Sequence, residues 1–258
     1  MNRLFSSLYL LLGLTLLPLA PIHGTNLTEQ IGLNKNQTSP LNSLVKISGG
    51  GLSQDQITNG LKEALALGIQ QAAGKLGKND GFLKDPQVKI PLPESIKKIE
   101  SALKLMGQGK LVDQFTTTLN RAAKQAVPET ITVLGDAVKQ MTLTDAQSIL
   151  TGSNNAATDY FRRTSDSALQ SRILPIVQAA TTKTGVTQSY KLLTDKVGAS
   201  LLNKQLIDKQ ALDLDGYITR KALDGLYLKI SEQEKLIREN PTARTTDLLQ
   251  KVFGSIRK

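Results

Sequence analysis

Cysteine and tryptophan are absent from the 258 residues, and the one histidine is His23. Without cysteine the chain can form no disulfide and no thiolate metal site, so its fold must rest on its core alone. A Ser-His-Asp triad, a Cys-His pair and an ordinary zinc site each need residue types that are missing after position 23. Aromatics are scarce, with five Phe and five Tyr. Proteins that grip single-stranded nucleic acid stack its bases on such rings, which argues against nucleic acid as a partner. No glycine loop ends in Lys-Ser or Lys-Thr, and GGGLS at 49–53 is too short and lacks the lysine of a phosphate loop. Asp213-Leu214-Asp215-Gly216 begins like a calcium loop, yet aligning Gly216 with that loop's glycine puts Ala211 and Ala222 where the first and last carboxylates belong. Asp213 or Asp215 therefore reads as a helix N-cap. No metal and no cofactor is implied.

Long apolar runs are also lacking, save one at the start. Arg3 precedes an apolar run at 8–17, which Pro18 and Pro21 break. This is the pattern of a secretory signal, too short for the roughly 20 apolar residues that span a bilayer. Cleavage is expected after Gly24, because Pro21 obstructs a cut behind Ala20. That would make the chain periplasmic or secreted, with no transmembrane helix in its mature form. Losing residues 1–24 removes one basic residue and no acidic one, lowering the formal charge from +10 to +9. A basic exported protein points to anionic partners: a lipid, a glycan or another protein of the cell envelope.

Residues 25–51, rich in Asn, Thr, Ser and Gly, read as a flexible lead, and 52–258 as an all-α domain, a helical bundle of about eight or nine helices. Ser53 and Gln56 form a capping box ahead of Ile57, Leu61, Leu65, Ile69, Ala72 and Leu76 at helical spacing. The three prolines of FLKDPQVKIPLP predict an extended stretch, and Pro93 suits the first turn of the next helix. Ile96, Ile99 and Leu103 mark that helix, with Gly107 and Gly109 to stop it. A third helix carries Leu111, Phe115, Leu119, Ala122 and Ala126. Pro128 starts a fourth with Ile131, Leu134, Val138 and Met141, and Thr142 and Asp145 cap a short fifth that Gly152 closes. Asn154 and Asn155 cap a long sixth, which Gly185 ends in a left-handed turn. Two more helices are expected over about 187–202 and 214–240, and a last one from Thr245 that buries Leu248, Leu249, Val252 and Phe253. No strand alternation and no internal repeat is visible.

The sixth helix, DYFRRTSDSALQSRILPIV, carries arginines where a core is expected. On a helical wheel with Phe161 at zero, Leu169, Ile173, Ile176, Val177 and Ala180 share a sector in which Arg162 falls at about 100° and Arg172 at about 20°. Arg163, at about 200°, lies past its edge and can pair with Asp159 one turn earlier. A guanidinium among aliphatic side chains is costly unpaired, so it pairs with a carboxylate of the chain, lays its stem along the core with its head in water, or lines a groove that receives an anionic ligand. Thr164 or Ser165 could cap a new helix, and Pro175 could kink this one. Arg162, Arg163 and Arg172, with Arg244 between the last two helices, are thus the candidate anion-binding residues. The other charges, including Lys229, Lys235 and the Glu234–Arg238 pair, read as solvated faces.

No residue is singled out as catalytic, and an enzyme is the less favoured class. An envelope hydrolase working through carboxylates alone would draw on Glu94, Asp113, Glu129, Asp136 and Asp159. A third alternative is a scaffold whose apolar groove accepts a partner's helix. Five blocks, GLKEALALGIQQA, DGFLKDPQVKIPLPESI, NRAAKQAVPE, ILTGSNNAATDYFRRTS and ALDGLYLKISEQEKLIRENPTARTTDLLQKVFG, together resemble the bacterial domain of unknown function family numbered 4197, over about residues 52–254. The resemblance implies a bacterial, commonly exported, helical protein with no assigned activity. It carries over no site residue.

Overall fold

Ser53 begins the fold by capping a helix. Its hydroxyl accepts from the Gln56 amide at 3.2 Å, while Gln56 Oε1 accepts from the Ser53 amide at 2.9 Å. These reciprocal bonds satisfy donors that the first turn leaves orphaned. The structure, a computed structural model, describes residues 52–197, 213–244 and 246–255. The expected signal at 1–24, the lead at 25–51 and the expected run of the seventh helix to 202 lie wholly or partly outside these residues.

Helix α1 (Gln54–Leu76) ends at Gly77, and residues 82–93 follow without helix, as their prolines require. Pro93 is the N-cap residue of α2 (Glu94–Leu105) rather than part of its first turn. At the far end Gly107, at φ 72°, allows its own amide to reach Lys104 O and the Gln108 amide to reach Leu103 O at 2.8 Å. This is a Schellman turn, and it does the stopping alone. Gly109, expected to help end α2, instead opens α3 (Gly109–Gln125).

Helix α4 (Val127–Gln140) holds Pro128 in its first turn, and α5 (Leu143–Thr151) opens on the capping box of Thr142 and Asp145. The Thr142 hydroxyl and amide draw the Asp145 carboxyl below its ordinary range. Helix α6 (Ala156–Thr184) is the long one, closed by Gly185 at φ 74°. It neither restarts at Thr164, whose hydroxyl donates back to Tyr160 O, nor breaks at the exposed Pro175. Helices α7 (Val186–Val197) and α8 (Leu214–Glu239), a 3-10 turn at Pro241–Ala243 and α9 (Asp247–Ser255) are the remaining elements among the described residues. Among the described residues there is no strand, so the protein is all-α.

One apolar cluster joins the elements. Helix α6 packs on α8, α3 and α4, while α1 packs on α8, α4 and α9. Phe82, Phe115, Phe161 and Tyr227 are its largest fully buried rings. Val252 and Phe253 of α9 are buried as expected; the side chains of Leu248 and Leu249 lie outside the described ones.

The extended stretch is tied down by polar side chains. Asn120, buried in α3, accepts from the Ile90 amide at 2.8 Å and donates to Ile90 O at 3.0 Å, so one amide replaces the missing neighbour strand. Tyr217 donates to Pro91 O at 2.9 Å. Gly225 of α8 lets Phe82 and Val88 come so close that a Cβ there would sit 3.2 Å from each. These contacts hold the stretch across α3 and α8.

Candidate anion-binding groove

Helix α6 buries Ala157, Phe161, Ser165, Leu169, Ile173 and Val177, each one turn after the last. A row at four-residue spacing drifts about 40° per step around the helix, so the buried face rotates along its length. Near Phe161 that face lies behind Arg162, and near Ile173 it has moved beyond Arg172. Both arginines, expected within the apolar sector, are therefore exposed. A single sector drawn for 29 residues merges faces that the helix keeps apart.

The four candidate arginines have separate surroundings. Arg172 donates to Glu129 of α4 at 3.2 Å, a surface pair. Arg163 does not pair with Asp159; its guanidinium lies 5.8 Å from the Tyr160 ring centre. Arg244 is buried, donating to Ile237 O at 3.0 Å and Arg238 O at 2.9 Å. It satisfies carbonyls in the last turn of α8, where positive charge also complements the helix dipole. Arg162 sits over the face of Tyr227, its Cζ 4.3 Å from the ring centre, and among the described residues it makes no ion pair.

Arg162 is also one wall of a groove of about 310 Å³ between α6 and α8. Arg220 and Lys221 line the same groove with Asp166, Asp224 and the two tyrosines of α8. Lys221 meets Asp224 at 3.3 Å, and Arg220 lies 3.8 Å from Asp213. Asp166 accepts from the Tyr227 hydroxyl at 3.2 Å and from Gln170 at 2.7 Å. Burial pushes the Tyr217 hydroxyl up to about 12 and, with Asp166 beside it, pushes Tyr227 higher as well. Both stay protonated and serve as donors, not bases. The arrangement offers two guanidinium groups and an ammonium to an anion, with one guanidinium stacked and uncommitted.

Charges read as solvated carry the deepest polar contacts. Glu234 and Arg238 of α8 have side chains only 4% and 11% exposed and meet at 2.9 Å. Glu234 accepts from the amides of Ala157 and Thr158, both at 2.9 Å, and from the Thr158 hydroxyl. It thereby caps α6, a task expected of Asn154 or Asn155; Asn155 precedes the first turn but makes no side-chain cap bond. Arg238 donates onward to Ile149 O of α5 at 2.8 Å. Lys229, likewise buried, meets Asp85 at 2.7 Å and Glu232 at 2.9 Å. Burial alone would lower its pKa, but the two carboxylates outweigh this and raise it.

Of the carboxylates open to a hydrolase, Glu94 and Asp136 pair with Lys97 and Lys139 on the surface, and Glu129 holds Arg172. Asp113 lines a second groove beside α2, and Asp159 is exposed on α6. None of the cavities described here is lined by two of these five. Asp213 caps α8 through the Gly216 amide at 2.8 Å, as its position suggested. No described helix is long and apolar enough to cross a membrane.

The model of a known family, Protein of unknown function (DUF4197), matches residues 51–254. The chain belongs to that family. Comparison with curated proteins and with solved structures finds no match. The DUF4197 domain thus covers every described helix except the last residue of α9, and the α6/α8 groove lies within it.

Proposed function

We propose that this DUF4197 protein is an exported binding module that takes an oxyanion, carried by an envelope component or a partner, in the groove between α6 and α8. One observation carries the reading: Arg162 is exposed, stacked on Tyr227 and without a carboxylate of its own, while Arg220 and Lys221 share its groove. Aromatic stacking orients a guanidinium and leaves its edge N–H groups free for a bidentate acceptor. Arg172 and Arg244 are engaged elsewhere and are not part of the site. Export rests on the basic and apolar N-terminal pattern, and N-terminal sequencing of the envelope fraction should read from Thr25.

The absence of tryptophan makes binding directly visible, because Tyr217 and Tyr227 line the groove and tyrosine emission is unobscured. Titration with inorganic phosphate, and separately with a polyuronate oligosaccharide, should give a saturable change with at least one of them. Arg162→Ala should abolish it, Arg220→Ala should weaken it, and Arg163→Ala should leave it intact. A response equal in wild type and Arg162→Ala, or none with either probe, overturns the reading.

A further inference from the structure

The most exposed large hydrophobic residue among the described ones is Leu105, at 90%, and its neighbour Met106 is 51% exposed. Both stand on the Schellman turn between α2 and α3. That turn requires only Gly107 in its left-handed conformation and the buried Leu103 beneath it. Nothing in ending the helix asks Leu105 or Met106 to be apolar. Lys104 precedes the pair and Lys110 follows it, both exposed, and Lys110 makes no ion pair among the described residues. Beside the tip runs a groove of about 550 Å³ walled by Lys89, Lys97 and Lys104, with Glu100 and Asp113 also present. Glu100 is held by Lys104 at 2.6 Å.

We infer that the α2/α3 turn is a membrane-docking tip, with Leu105 and Met106 entering the headgroup boundary of an anionic lipid surface while Lys89 and Lys110 engage phosphates. Apolar tips ringed by lysine bind such surfaces by combining shallow burial with attraction that salt screens. The formal charge, +10 for the whole sequence and +9 without residues 1–24, favours an anionic surface. This site is separate from the α6/α8 groove.

Flotation of the mature protein with phosphatidylglycerol/phosphatidylcholine vesicles tests it. Wild type should float with mixed vesicles and not with pure phosphatidylcholine, less so at high salt. Leu105→Ser with Met106→Ser should lower partitioning about tenfold or more, and Lys110→Glu should lower it independently, with unchanged helical circular dichroism. Arg163→Ala, at an exposed residue outside both the tip and the groove lining, should float like wild type. Equal flotation of wild type and the double variant overturns the inference. So does a wild-type dimer in light scattering that the double variant dissolves, since the tip would then meet a second copy.

Discussion

Thr219 and Gln233 are 3% exposed, and the Thr219 hydroxyl and the Gln233 Nε2 have no hydrogen-bond partner among the described residues. A buried donor left unmade costs about 1–3 kcal/mol, whereas an apolar group of the same shape avoids that cost. Thr219→Val preserves volume and β-branching, so it is expected to stabilise the fold by about 1 kcal/mol, seen as a higher urea midpoint at unchanged slope. A lower midpoint would mean that the hydroxyl has a role in the native state. The arginines also belong to this scale. The sequence made Arg162 conspicuous because a charge so near Phe161 and Leu169 is rare. It could not reveal Arg220 and Lys221 as neighbours, since they join Arg162 only when α8 folds onto α6. Nor could it separate Arg244, fixed on the last carbonyls of α8, from an arginine free to bind.

At the level of elements, α6 is held at its start by a side chain from another helix. Glu234 satisfies two amides and a hydroxyl in the first turn of α6, while Arg238 joins it to the end of α5. Glu234→Ala strands Arg238 and those amides in a buried site, a loss of about 3–5 kcal/mol. Glu234→Gln keeps one acceptor oxygen and should lose less. Equilibrium unfolding in urea ranks the two; equal small losses would show that the cap is dispensable. Most boundaries were legible because their causes are local: Ser53 with Gln56, Thr142 with Asp145, and Gly185 in its left-handed turn. The cap of α6 was not, because its donors and acceptor lie far apart in the chain. The Glu234–Arg238 spacing is that of any exposed helical pair, and only the packing of α5 and α6 over α8 removes it from water. Asn120 escaped for the same reason, as its partner is the backbone of Ile90.

For the whole molecule, folding in acid turns on a few carboxylates set in opposite directions. Hydrogen bonding from Lys229 holds Asp85 below the ordinary carboxylate range, and the Thr142 cap does the same for Asp145. Burial holds Glu63 above that range, partly offset by Thr246. A carboxyl whose pKa is lower in the folded than in the unfolded chain adds stability that is complete above its unfolded value, near 3.9, and lost as pH falls through its folded value. Asp85 also ties the extended stretch to Lys229 of α8, beside the wall of the proposed docking groove. Asp85→Asn should therefore cost about 1 kcal/mol at pH 7, modest because the carboxylate is partly solvated, and the difference from wild type should narrow as pH falls below the unfolded value. Glu63 has the opposite sign: its charged form is the disfavoured one, so Glu63→Gln should stabilise at pH 7 and lose that advantage in acid. Urea midpoints of the three proteins at pH 7 and pH 3 test both signs. A penalty for Asp85→Asn that persists undiminished at pH 3 would show that the side chain acts through packing rather than charge.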